Sequence, residues 1–439
     1  MRNIALTFLG CFTILAACSN SDDAEKPVAP IPTGDVTIYS TTNSLTRDLT
    51  RDAVNFSLKD NLAPTSITLN PTEQYQTMDG FGVAITGATC FNLLQMKPED
   101  RHAFLTETFS DDKGFGFSYI RISIGCSDFS LSEYTCCDKK GIENFALQSE
   151  EKEYILPILK EILDINPSIK IIAAPWTCPT WMKVKSLTDL TPFESWTNGQ
   201  LNPAYYQDYA TYFVKWVQAF NAEGIDIYAV TPQNEPLNRG NSASLYMSWE
   251  EQRDFVKTAL GPKFKTAGLA TKIYAYDHNY DYSDIETEKN YPGKMYEDPA
   301  ASQYLAGAAY HNYGGNREEL LNMHKAYPEK ELLFTETSIG TWNSGRDLSK
   351  RLLEDMKEVA LGTINNWCKG VIVWNLMLDN DRAPNREGGC QTCYGAVDIS
   401  NSDYKTIIRN SHYYIIAHLS SVVKPGALRL SLIHISEPT

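Results

Sequence analysis

Eight short apolar runs, each rich in β-branched or aromatic residues and each followed by a stretch of helical pattern, limit the architectures open to this chain of 439 residues. The runs are Phe81–Ile85, Phe117–Ile124, Ile169–Ala174, Ile227–Thr231, Lys272–Tyr276, Gly307–Tyr310, Leu332–Thr335 and Gly370–Trp374. Asn202-Pro203 offers an N-cap followed by proline at the first helical position. Tyr209, Phe213, Trp216, Val217 and Phe220 then recur at helical spacing, and Gly224 follows the end. Pro98 likewise opens a helix over Glu99–Phe109. Ile155, Leu159 and Ile162 mark another helix, which Pro157 should kink or start late. Residues Asp347–Asn365 form the long helix before the eighth run. Alternation of this kind predicts an α/β fold, a (β/α)8 TIM barrel. A doubly wound sheet could hold the same pattern, but no Gly-x-Gly-x-x-Gly turn follows the first run.

In a parallel barrel the residues that close each strand converge on one face. Here those positions carry Arg121 and Asp128, Pro175-Trp176, Asn234-Glu235, His278, then Tyr310, His311 and Tyr313, Glu336, and Trp374-Asn375. Pro236 has no N–H to extend a ladder and biases Glu235 toward an extended backbone. Leu332-Leu-Phe-Thr-Glu336 ends in a glutamate in the same way. Two carboxylates, an amide, an arginine and aromatics in one bowl suit oxocarbenium chemistry on a sugar, where one carboxyl protonates the leaving oxygen and the other attacks the anomeric carbon.

The net charge of −15 argues against nucleic acid or an anionic membrane surface as partner. Arg2 and the apolar stretch Ile4–Ala17 read as an export signal too short to span a bilayer. Leu15-Ala-Ala-Cys18 resembles the bacterial lipoprotein box, with Cys18 the lipidated residue. The acidic Ser19–Asp23 that follows resembles the surface-export signal of Bacteroidetes lipoproteins. The expected location is therefore the outer membrane, held only through a lipid anchor, with a proline-bearing tether over residues 19–36. Cys390-Gln-Thr-Cys393 has metal-ligand spacing but no second Cys or His pair, so a local disulfide or two free thiols is expected and no metal.

Asp79-Gly-Phe-Gly82, Ile120-Arg-Ile-Ser-Ile-Gly-Cys-Ser-Asp-Phe-Ser130, Ala174-Pro-Trp-Thr-Cys-Pro-Thr-Trp-Met182, Thr231-Pro-Gln-Asn-Glu-Pro236, Thr335-Glu336 and Trp374-Asn-Leu-Met-Leu378 together resemble glycoside hydrolase family 30, the group that includes glucosylceramidases. The resemblance runs from about Gln74 to Arg429. It implies a barrel over residues 79–419 with a β-sandwich side domain, and hydrolysis that retains anomeric configuration without a cofactor. It implies Glu235 as acid/base, Glu336 as nucleophile, and Asn234 on the sugar 2-OH. Asp128, Trp176 and Trp374 become sugar contacts, with Arg121 supporting the carboxylates. His311 and Tyr313, from the strand-end reading, join the expected substrate site. Thr86-Gly-Ala88 departs from the Thr-Asp-Ala of glucosylceramidases. With the insert Arg386–Cys393 and Thr135-Cys-Cys-Asp138, it looks more like the bacterial endo-β-1,6-glucanase branch. A glucosylceramidase proper, another exo-acting member, and a non-catalytic surface glycan-binding protein remain alternatives.

The mechanism so implied expects the two carboxylates about 5 to 5.5 Å apart. It expects Glu235 protonated, its pKa raised by Glu336 and by burial. At the far end, Leu430–Thr439 resemble a translated sequencing-adapter frame. The side domain, residues 37–78 and 420–429, is therefore expected to be an incomplete sandwich, with strands Ser66–Leu69 and Gln74–Met78 lacking partners.

Overall fold

The computed structural model describes residues 32–56, 65–282 and 284–436; the leader, Cys18 and residues 19–31 of the tether lie outside them. Each expected run supplies a barrel strand: β1 Gly80–Ala84, β2 Tyr119–Ser123, β3 Lys170–Ala174, β4 Ala229–Val230, β5 Lys272–Asn279, β6 Leu305–His311, β7 Glu331–Glu336 and β8 Cys368–Val373. Neighbours pair in parallel and the barrel closes where β8 meets β1, with Gly370 opposite Gly80. Strand alternation sends every second side chain inward. Tyr119, Ile172, Ala229, Tyr274, Ala309, Leu333 and Ile372, from seven strands, form one buried apolar layer across the interior. At the N-terminal ends of the strands, on the far side of that layer, Lys170 pairs with Asp79 at 2.7 Å, and Glu331 takes Lys272 at 2.8 Å and Lys369 at 2.6 Å.

The helices form the outer ring. Asn202 accepts from the Ala204 N–H at 3.0 Å and caps a turn that leads into Tyr206–Ala222. That helix buries Tyr209, Phe213, Trp216, Val217 and Phe220 against the barrel, each stabilising by roughly 1.5–3 kcal/mol. Pro157 does not break its helix. A wide turn over Glu151–Ile155 precedes it and absorbs the missing N–H. Pro262 is accommodated in the same way, by a wide turn over Val256–Leu260.

The side region differs from expectation. Residues Thr65–Thr77 form one strand, not two, and it has a partner: Leu428–Ser436 runs antiparallel to it, with Leu432 opposite Leu69 and Ile435 opposite Ser66. The alternating, β-prone Leu428–Ser436 supplies the ladder that the strand was expected to lack. The register slips where the pairing passes from Gln74 to Asn70, around Pro71, which has no N–H to donate. Gln76 ties this ribbon to the barrel by donating to the carbonyls of Ile364 and Cys368 at 2.6 and 3.0 Å. Val36–Ser40 and Thr50–Val54 pair separately, so the described side strands make two ribbons of two strands each rather than a closed sandwich.

Gly370 is required by packing: a Cβ there would lie 2.8 Å from the Tyr119 ring inside the closed barrel. Gly370→Ala should lower the unfolding free energy by about 1–3 kcal/mol, and adding Tyr119→Val should recover part of the loss. A urea midpoint unchanged by Gly370→Ala would show that the ring can yield.

Candidate active site

At the C-terminal end of the strands the interior turns polar, and Arg121 is its centre. Its side chain, from β2, is fully buried. Nη1 donates to Glu336 Oε2 at 2.5 Å, and Nη2 donates to Asn234 Oδ1 at 2.7 Å and Asp277 Oδ2 at 2.9 Å. The guanidinium lies 5.0 Å from the ring centre of Trp176 and 5.3 Å from that of Trp374, and the two indoles stack at 5.1 Å. Asp277 also accepts from Thr231 at 2.7 Å and Thr335 at 2.6 Å, and faces His311 Nε2 at 3.2 Å. Burial opposes its charge, but Arg121 and the other donors outweigh this and hold the carboxyl well below the usual range.

Glu235 has φ +45, so it is left-handed and not the extended residue that Pro236 favours. Its own contacts override the proline: its N–H donates to Asp277 O at 3.0 Å. Its Oε2 accepts from Asn238 and Asn241 at 2.7 and 3.0 Å, and Oε1 faces His311 Nδ1 at 3.2 Å. Glu336 takes the Tyr313 hydroxyl on Oε1 at 3.0 Å and Arg121 on Oε2. A carboxylate oxygen of Glu235 lies within 4.8 Å of one of Glu336.

The charge states differ from expectation. Both ring nitrogens of His311 face carboxylates, so the ring donates twice and is an imidazolium. Burial works against that charge, but Glu336, Asp277 and Glu235 outweigh it and raise the His311 pKa to about 9. Glu235 is consequently an anion: burial pushes it up, but His311, His278 and Asn238 together lower it to about 2. Burial pushes the Glu336 carboxyl up, against the pull of His311 and Arg121. Both its oxygens nevertheless face donors, as an ionised carboxylate requires. The proton expected on Glu235 thus rests one hydrogen bond away, on His311. Glu235, His311 and Glu336 are close enough to surround a cation, but Arg121 and the protonated His311 already neutralise that space, which argues against a metal there.

Glu235 and Glu336 line a cavity of about 280 Å³ with Asp128, His278, Tyr282, Tyr313, Trp374 and both cysteines of the expected insert, which form the disulfide Cys390–Cys393; Arg121, Asn234 and His311 are not among its lining residues. Asp128 Oδ1 is buried without a protein partner. Burial, then the charges of Glu336 and Glu235, push its carboxyl to about 8, so at neutral pH it presents a hydroxyl donor. Trp374 faces the cavity. Trp176 packs behind it on the guanidinium, and the Arg121 bond fixes the Asn234 amide with Oδ1 toward the guanidinium. Two strand-end residues turn away. Tyr310 joins the outer core, and Asn375, with φ +68, is held by the hydroxyls of Thr86 and Thr89 at 3.0 and 2.5 Å. The departure at Gly87 also has a packing cause: a Cβ there would lie 1.9 Å from Glu150 Oε1.

Asp277, Asn238 and Asn241 escaped the sequence reading. A register shift between Tyr276 and His278, with φ +73 at Tyr276 and +68 at Asp277, turns Asp277 inward where alternation from Tyr274 points it outward. The only signal was a lone acid within an otherwise buried run. The asparagines reach back from a loop and carry no local signature.

Residues 78–423 match the model of the glycosyl hydrolase family 30 TIM-barrel domain. A solved structure of an endo-β1,6-glucanase is 88% identical, with a TM-score of 0.90 over 91% of this chain and 87% of that one. An endo-1,6-β-D-glucanase of Trichoderma harzianum is 32% identical over 81% of this chain and 71% of its own length. A putative glucosylceramidase of Caenorhabditis elegans is 27% identical over 93% and 79%. The motifs, the closed barrel and the paired carboxylates agree with these matches: the chain belongs to glycosyl hydrolase family 30.

Proposed function

We propose that this chain hydrolyses β-1,6-linked glucan by double displacement with retention, Glu336 as nucleophile and Glu235 as acid/base. The observation that carries this reading is the approach of the two carboxylates to within 4.8 Å, each with its own set of donors. That separation leaves no room for a water between them, as direct attack requires. The linkage rests on the 88% identity to a solved endo-β1,6-glucanase.

Glu336 Oε1 or Oε2 attacks the anomeric carbon while Arg121 and Tyr313 hold the carboxylate in line. As the glycosidic bond breaks, His311 Nδ1 passes its proton across their hydrogen bond to Glu235, which hands it to the departing oxygen and is left as the carboxylate it began as. Glu336 becomes an ester, the alcohol leaves neutral and His311 becomes a neutral imidazole, so charge is conserved. In the second step water attacks the anomeric carbon, Glu336 departs as a carboxylate, and the water's proton returns through Glu235 to His311. Asp277 keeps the ring oriented throughout, and Asp128 donates to a sugar hydroxyl.

Assaying β-1,6-glucan beside glucosylceramide tests the substrate. Turnover of glucan with the β-anomer as first product, seen by NMR, is expected; inversion, or turnover of the lipid alone, would overturn the proposal. Glu336→Ala should abolish turnover of every substrate. Glu235→Ala should spare the first step for aryl glucosides with good leaving groups, and azide should rescue its second step. Equal losses with no azide response would rule out these roles.

The proton store sets a pH dependence. The acid form must be present, so activity falls as pH rises through the pKa of the coupled Glu235–His311 pair, near the about 9 of His311. His311→Asn should move the alkaline limb of kcat/KM to lower pH, since only the carboxyl of Glu235 then holds the proton. An unmoved limb would remove His311 from the relay.

A further inference from the structure

Trp342 is 52% exposed at the mouth of the cavity, an unusual setting for so large an apolar ring. It is not on a loose loop. Gly340 has no side chain where the indole lies; a Cβ there would fall 1.9 Å from ring atom Cζ3. The short strand Ile339–Gly340 pairs antiparallel with Cys393–Tyr394, and the Thr341 N–H donates to Thr392 O at 3.0 Å. Asn343 Oδ1 accepts from the Gly340 N–H at 3.0 Å and closes the turn. The backing segment is itself fastened by the Cys390–Cys393 disulfide. It is fastened again by Arg386, which donates to the carbonyls of Ser127 at 2.8 Å and Ser242 at 2.5 Å. The ring is thus presented to solvent by a braced support, and its apolar face offers nothing to the reaction itself.

The cavity beside it, about 280 Å³, is at the small end of ligand pockets, which run from roughly 300 Å³ upward. The sugar unit under attack occupies that space, and the rest of a polymer has to cross the rim. We propose that Trp342 is the stacking platform for a glucosyl unit adjoining the one that reacts, and that the disulfide loop exists to hold it there. The negative face of the indole meets the polarised C–H edge of a pyranose, and stacking buries apolar surface on both partners. This rests on the reading of the cavity as the glucosyl site.

The test compares β-glucosyl fluoride, which carries only the reacting ring, with β-1,6-linked gluco-oligosaccharides. Trp342→Ala should lower kcat/KM for the oligosaccharide about five- to tenfold more than for the fluoride, chiefly through KM, and Trp342→Tyr should restore most of the difference. The double variant Cys390→Ser, Cys393→Ser should shift the ratio the same way by a smaller factor. Equal losses on both substrates, or an unchanged ratio, would overturn the platform. Failure of the unaltered protein to hydrolyse the fluoride would instead sink the glucosidase reading beneath it.

Discussion

A buried guanidinium has to find its counter-charges within the protein, and the top of this barrel is arranged around supplying them to Nη1 and Nη2 of Arg121. Two carboxylates, one amide oxygen and two indole faces surround it. Removing one member of such a set leaves an uncompensated charge, at a cost of about 3–5 kcal/mol. Its partners come from β5, β7 and the loop after β4, and the indoles from the ends of β3 and β8. One side chain therefore fixes the relative position of elements far apart in sequence, Glu336 among them.

The same economy of charge governs the protons. Around the cavity stand Glu235, Glu336 and Asp277 as anions, against Arg121 and His311 as cations. Asp128 stays neutral because its burial, and then the charges of Glu336 and Glu235, disfavour another negative charge. Holding the cluster also bends the backbone. Glu235, Tyr276, Asp277 and Asn375 all have positive φ, a conformation costing of order 1–3 kcal/mol each. Hydrogen bonds such as Glu235 N–H to Asp277 O offset it.

Much of this was legible in the sequence because a barrel strand writes its geometry into alternation. Tyr119 and Arg121, Leu333 and Thr335, Ile372 and Trp374 point inward two by two, and strand-ending glutamates at 235 and 336 stand out against apolar runs. Alternation fails where a strand bulges, which hid Asp277 and drew attention to His278 instead. It says nothing of loops that fold back, which hid Asn238 and Asn241. Nor does it locate a proton: proximity of Glu336 suggested a neutral Glu235, whereas the surrounding donors, visible only in three dimensions, decide for His311. The pairing of Leu428–Ser436 with Thr65–Thr77 was hidden for a related reason, since a ribbon between chain segments so distant has no local trace.

The apolar layer from Tyr119 to Ile372 separates two groups of charge within one cylinder. Glu331 and Glu336 share β7, yet the first is lowered to about 2 by Lys272, Lys369 and Tyr274 acting against its burial, while the second is pushed up. Five residue steps, roughly 16 Å, separate them, across an apolar layer whose two tyrosines, Tyr119 and Tyr274, burial holds far from ionisation. The layer acts as an insulating septum. Beneath it, charge locks the strands together; above it, charge is left adjustable. Sequence change can therefore retune the chemical face without disturbing the electrostatics of the base.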